Sequence, residues 1–96
     1  MRSLSVHPVV YVLELEGDDQ NDSYYYVGST HNLNFRLSQH MVGLGANFTK
    51  LHAFKTIVEV RIVTDKSALD VENELTLEYQ HRFGYERVRG GKYTRV

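Results

Sequence analysis

Apolar and polar positions alternate in three stretches of this chain and recur at helical spacing in two, which predicts an order of elements. From Val9 to Leu15 (VVYVLEL), Val9, Tyr11, Leu13 and Leu15 share one face, with Val10, Val12 and Glu14 on the other, the period of a strand. Pro8 suits the start of that strand, where a missing N–H is tolerated. Gly17 to Ser23 is too polar and turn-rich for a core, so Tyr24 to Gly28 reads as the return strand of a long-looped hairpin. A sharp turn at Gly28 and a helix from about His31 to Val42 follow, capped by the hydroxyls of Ser29 and Thr30. Leu33, Leu37 and Met41 form its core-facing stripe, and Phe35 and Val42 a second apolar edge.

Gly43 and Gly45 end the helix and open a loop, GLGANFTK, with few apolar anchors and an expectation of mobility. Thr56 to Val63 (TIVEVRIV) sets Val58, Val60 and Ile62 on one face of a strand against Glu59 and Arg61 on the other. Thr64 and Asp65 start a second helix, from about Lys66 to Arg82, whose stripe is Ala68, Val71, Leu75, Tyr79 and Phe83. The tail from Gly84 to Val96 has no sustained period.

Ninety-six residues suit one domain, 1–96, around one modest core. The absence of cysteine excludes disulfides, thiolate metal sites and cysteine nucleophiles. With no apolar run long enough for a signal peptide or a membrane span, the expectation is a soluble cytoplasmic protein. Net charge is only −1, but its distribution is uneven. Glu14, Glu16, Asp18, Asp19 and Asp22 crowd one early segment, while Arg82, Arg87, Arg89, Lys92 and Arg95 crowd the C-terminus against Glu86. That pattern fits a cationic face offered to phosphates, or simply two solvated patches.

Candidate chemistry gathers around the first helix. Tyr26 ends a strand, and Arg36 and His40, four residues apart, project from one side of the helix behind it. Glu72 falls inside the apolar stripe of the second helix, where an unpaired carboxylate costs several kcal/mol. It therefore needs a partner: Arg36, a metal ion, or both. Each residue also has a plainer explanation, as half-buried sheet tyrosines, a structural Arg36–Glu72 ion pair and a helix-surface histidine. Arg89-Gly90-Gly91-Lys92 either approaches a phosphate or closes against the sheet as an irregular turn. His7, His31, His52 and His81 have no metal-ligand spacing.

Taken together, Tyr11, Tyr26-Val27-Gly28, Arg36 and Glu72 resemble the GIY-YIG nuclease superfamily, over about Val9 to Phe83. Val9-Val10-Tyr11 stands where the family has Gly-Ile-Tyr, so only the tyrosine of that motif is kept. Tyr26-Val27-Gly28 matches the second motif, and STHNLNFRL looks like the turn and helix that carry the family's arginine, here Arg36. Ala68-Leu69-Asp70-Val71-Glu72-Asn73 is similar to the helix with the metal-binding glutamate in bacterial excision-repair incision subunits. His40 matches a histidine of the homing-endonuclease branch. Many members carry an asparagine after the last helix; here Phe83 is followed by Gly84, and the VRGG ending looks like small stand-alone phage-type members.

The resemblance implies an α+β fold, with a small, mainly antiparallel three-stranded sheet flanked by helices. It implies a DNA endonuclease that hydrolyses phosphodiesters with Mg²⁺ or Mn²⁺ on Glu72, Arg36 on the scissile phosphate, and Tyr11 or Tyr26 activating water. Arg36 and the metal would have to lower a phenol pKa that starts near about 10. His40 is a proton acceptor or a phosphate ligand; Lys50, Arg89 and Lys92 are further candidate nucleic-acid contacts, and Gly28 is structural, freeing φ at the strand exit. The partner is DNA, with no membrane. The chain acts as monomer or homodimer, with a partner protein as one source of sequence specificity. Two other readings stand beside this one: a catalytically weak or inactive nucleic-acid-binding module of the same fold, and a protein-interaction domain with a purely architectural Arg36–Glu72 pair.

Overall fold

The computed structural model describes residues 7–17, 22–42 and 47–91, without the side chains of 47 and 50. Two strands, β1 (Val9–Glu16) and β2 (Ser23–Thr30), form the expected hairpin, and β1 is antiparallel on its other side to β3 (Phe54–Ile62). Between β2 and β3 lie two helices, α1 (Leu33–Met41) and α2 (Asn47–Leu51). The long helix α3 (Ala68–Phe83) crosses back over the sheet to a three-residue strand, β4 (Val88–Gly90).

β4 corrects the expected three-stranded sheet. The order is β3-β1-β2-β4, and β4 runs parallel to β2, so the sheet is four-stranded and mixed. The class remains α+β. Three residues are too few to show a period of two, which is why a strand stayed hidden in the tail. Its place is nonetheless well specified. Val88 is fully buried, and a Cβ on Gly90 would meet the Val27 carbonyl oxygen at 2.5 Å and Thr76 Oγ1 at 2.6 Å. Only glycine lets the two backbones lie this close.

Each face of the sheet carries its own core. Val10, Val12, Val27, Val63 and Val88 pack under Leu75 and Tyr79 of α3. Tyr11, Leu13, Leu15 and Tyr26 face the other way, toward Phe48 of α2 and the half-buried Leu33 and Leu37 of α1.

Four local expectations are corrected. α1 begins two residues late, behind Asn32, whose Oδ1 accepts from the Phe35 N–H; Ser29 and Thr30 still belong to β2. Its inward residues are Leu33, Leu37 and His40, while Met41 is 64% exposed, because steps of four and three satisfy the helical period as well as two steps of four. The stretch after it, expected to lack anchors, holds α2, with Phe48 and Thr49 buried and Tyr24 stacked on His52 at 3.9 Å. On β3 the apolar residues Val58, Val60 and Ile62 are 45%, 42% and 70% exposed, since β3 is an outer strand.

The N-cap of α3 is Ser67, accepting from the Asp70 N–H, and the helix stops at Gly84, whose φ of 103° favours glycine. No helix among the described residues is long and apolar enough to cross a membrane.

The tight contact at Gly90 yields a stability prediction. Gly90→Ala forces β4 away from β2 and uncovers Val88, at an expected cost of about 1–3 kcal/mol. Leu69→Ala, at a site 53% exposed, shifts stability by less than about 0.5 kcal/mol. Urea denaturation followed by circular dichroism measures both.

Candidate active site

The β1–β2 register decides which side chains can meet. It sets Tyr11 opposite Gly28 and Leu13 opposite Tyr26, so both phenols rise from the sheet face toward α1. Their rings lie 6.5 Å apart. Gly28 has a reason different from the one expected. It sits inside β2 with no positive φ; a Cβ there would lie 2.5 Å from the Tyr11 hydroxyl and 2.9 Å from Tyr26 Cε2. Glycine is required here as floor space for a tyrosine ring.

Above that floor runs a buried polar chain. The Tyr11 hydroxyl is 2.8 Å from His40 Nε2, and His40 Nδ1 is 2.9 Å from Thr49 Oγ1. His40 is 2% exposed and lies edge-on to Tyr11, at 5.7 Å between ring centres. Where the sequence allowed a helix-surface histidine, it is instead part of the core. That placement is tolerable because both ring nitrogens have partners.

Burial lowers the His40 pKa to about 4, and the nearby Arg36 charge acts in the same direction, so the ring is neutral at neutral pH. Burial also drives the Tyr11 phenol well above its ordinary value, with Tyr26 adding to the rise; hydrogen bonding to Arg36 and its charge oppose this without prevailing. Tyr26 is raised too, chiefly by burial, with Arg36 lowering and Glu72 raising it. Arg36 does act to lower both phenols, as expected of it, but desolvation outweighs its effect.

Arg36, half-buried on α1, donates from Nη1 to Gln39 Oε1 at 2.8 Å. Glu72 on α3 is half-buried as well, and not enclosed in the apolar stripe; the buried face of that helix is Leu75, Thr76 and Tyr79. Its partner within the chain is not the expected Arg36. Ser29 Oγ donates to Glu72 Oε2 at 2.5 Å, and no Arg36–Glu72 ion pair exists among the described residues. Ser29 lies opposite Val10, on the α3 face, so the carboxylate meets the sheet there while the phenols stand on the other face. Arg36 and Glu72 each influence both phenols electrostatically, which places all four groups in one electrostatic neighbourhood.

The model of the GIY-YIG catalytic domain matches residues 7–86, most of the chain. The chain belongs to the GIY-YIG family. No curated protein and no solved structure matches it. Members of the GIY-YIG family are endonucleases that act on DNA and generally depend on a divalent metal, so membership implies nuclease-type activity.

The donor set at Glu72 fits such a metal in one manner only. Among the described residues no three His, Asp or Glu side chains converge, so a cation would rest on a single carboxylate, one of whose oxygens takes the Ser29 hydroxyl. Mg²⁺, which keeps several waters and needs few protein carboxylates, suits that arrangement.

The candidate nucleic-acid contacts beyond this GIY-YIG site fare differently. Arg89 is 8% exposed, donates to the carbonyls of Tyr85 and Val88, and lies over the Tyr85 ring at 4.7 Å. It braces β4 from within and does not present its guanidinium to a phosphate, which corrects the expectation. Lys92 and the Lys50 side chain lie outside the described residues.

Reasoning from sequence missed Ser29, Gln39 and Thr49. Gln39 sits one helical turn from Arg36 and was open to spacing arguments. Ser29 was legible only as a possible cap. Nothing in sequence links Thr49 to His40.

Two predictions follow from the buried chain. Because the folded His40 pKa lies below its ordinary 6.5, the unfolded chain binds the extra proton between those values. Stability is complete above pH 6.5 and falls as pH drops toward 4, by about 2 kcal/mol between pH 6.5 and 5 at 1.36 kcal/mol per unit. His40→Gln flattens that slope in urea denaturation run at each pH. Gly28→Ala displaces the Tyr11 ring at a cost of about 1–3 kcal/mol and alters the near-ultraviolet circular dichroism of the tyrosines.

Proposed function

We propose that this domain is a metal-dependent DNA endonuclease in which Tyr11 and His40 together take the proton from the attacking water. The observation that carries this reading is the Tyr11–His40–Thr49 chain of hydrogen bonds, with Arg36 and Glu72 close enough to act on the phenol. A phenol whose ionisation is this unfavourable cannot wait as phenolate. It can accept a proton from water while passing its own to His40 Nε2, so that no net charge develops on Tyr11. This requires the tautomer in which Nδ1–H donates to Thr49 and Nε2 accepts.

In that reading the water oxygen forms a bond to phosphorus, and the P–O ester bond opposite breaks. The departing oxygen keeps the electron pair and is protonated from solvent. Arg36, whose fork is always charged, holds the scissile phosphate. Gln39 holds Arg36 in place, and Tyr26 walls the pocket and hydrogen-bonds within it. Glu72, steadied by Ser29, would hold a divalent cation, Mg²⁺ or Mn²⁺, which supplies Lewis-acid stabilisation of charge on the phosphate. In that reading residues 1–96 form a single nuclease domain.

Plasmid nicking tests the proposal. Wild-type protein with Mg²⁺ or Mn²⁺ is expected to relax supercoiled DNA, and EDTA stops it. Glu72→Ala and Arg36→Ala abolish cutting while the circular dichroism spectrum persists. Tyr11→Phe and His40→Gln each slow it by about 10²-fold or more, the usual worth of a positioned proton acceptor. Firm DNA binding with no cutting under any metal overturns the enzyme reading and leaves a binding module.

A further inference from the structure

β3 is the outer strand of the sheet, and no described strand pairs with its far edge. Such an edge is a row of unpaired N–H and C=O groups, usually guarded by charge or by a cover. The pairing with β1 is regular from Glu59 to Ile62 and skips Val58, which bulges between Glu59 and Ile57; Val60 and Ile62 stand on one face, and all three apolar residues are substantially exposed. The other side carries Glu59 and Arg61, joined in an ion pair between Arg61 Nε and Glu59 Oε2. Glu59 also accepts from the Tyr79 hydroxyl at 2.8 Å, which fixes its carboxylate in place.

We propose that the partner for this edge is a second copy of this chain, with the two β3 strands antiparallel about a two-fold axis at Val60. In that register Val60 lies opposite its own counterpart, and the bulge at Val58 falls beside the Ile62 of the second copy, so apolar residues meet apolar residues along the seam. Glu59 lies opposite the second copy's Arg61, and the two ion pairs merge into a square of alternating charge. Neighbouring registers lack this property. An axis at Glu59 sets that carboxylate against itself, and an axis at Arg61 does the same for the guanidinium. The charge pattern therefore selects one pairing and disfavours its slips.

The axis has a consequence for the site, which rests on the endonuclease reading. Val60 is the β1 partner of Tyr11, and pairing across the axis keeps the faces of the sheet in common. The two Tyr11 residues then stand on one face of an eight-stranded sheet, three strand spacings or roughly 14 Å apart. Two pockets related by a two-fold axis and facing one way match the symmetry of a DNA duplex. The dimer cuts both strands, where a single copy nicks.

A chain without native cysteine makes the register directly testable. Opposed residues of antiparallel strands have Cα atoms about 4.5–5.5 Å apart, within disulfide range. The full-length Val60→Cys variant is expected to form a disulfide-linked dimer under mild oxidant. Val58→Cys and Ile62→Cys alone are not, but an equal mixture of the two links to a heterodimer. In sedimentation the wild-type chain dimerises, and Val60→Lys, which sets two ammonium groups at the axis, weakens dimerisation by about tenfold or more. On plasmid DNA that variant nicks without linearising.

A wild-type chain that sediments as monomer with a Val60→Cys variant that fails to link, or equal linking by all three single cysteines, overturns the dimer. In that event, nicking that depends on Glu72 still upholds the nuclease. Linking in the expected pattern without any DNA cutting sustains the dimer and removes the nuclease reading.

Discussion

The structure depends most on one contact: the hydroxyl end of the Tyr11 ring seated against Gly28, with the hydroxyl 2.8 Å from His40. The contact joins β1, β2 and α1 at a single point, and α2 joins through Thr49. α1 meets the sheet through few close backbone approaches, so the side chains Leu33, Leu37 and His40 must hold it. Were the Tyr11–His40 bond lost, a half-apolar helix would keep only two leucines on the sheet, and a buried imidazole would lose one of its two partners. Buried polar groups of this kind contribute more to uniqueness than to raw stability, because any shifted packing leaves a donor or acceptor unsatisfied.

The two faces of the sheet divide the labour accordingly. The α3 face holds seven buried apolar residues in one cluster, aliphatic but for Tyr79, and fixes the backbone. The α1 face is aromatic and polar and holds the groups able to move protons. Glu72 arrives from the stable face and Arg36 from the polar one, so the carboxylate and the guanidinium are carried on separate supports. That separation explains why they do not pair. A direct ion pair would neutralise the guanidinium and occupy the carboxylate, whereas Gln39 and Ser29 orient each one and leave its charge intact.

Much of this was legible in the chain. Alternation exposed β1 and β2, the i, i+4 spacing put Arg36 and His40 together, and the order of Tyr11, Tyr26-Val27-Gly28 and Arg36 carried the family. What failed did so for physical reasons. Val88-Arg89-Gly90 is too short to show a period, and its signal is instead a steric one at Gly90 that only coordinates reveal. Val58, Val60 and Ile62 follow the strand pattern as faithfully as any core residues, but pattern fixes which side chains share a face and not whether anything covers it. Helical projection placed Glu72 among apolar neighbours; the stripe narrows there because α3 is passing the end of the sheet, where Ser29 rather than an aliphatic residue meets it. Gly28 was marked as structural for its φ, when its missing Cβ is what matters.

That last difference bears on how the site is built. A glycine chosen for φ could be replaced by any device that turns the chain, but one chosen for space admits no substitute while Tyr11 lies across it. The first motif here has lost its glycine and isoleucine and kept the tyrosine, whereas the second keeps its glycine. Tyr11 and Gly28 form one contact, and the retained Tyr26 borders it. In β1, Val9 and Val10 need only extended backbone and apolar bulk, demands that valine meets as well as the residues it replaces. What persists across the two motifs is therefore the two phenols and the glycine that makes room for one of them under an imidazole, while the apolar strand positions vary as far as packing permits.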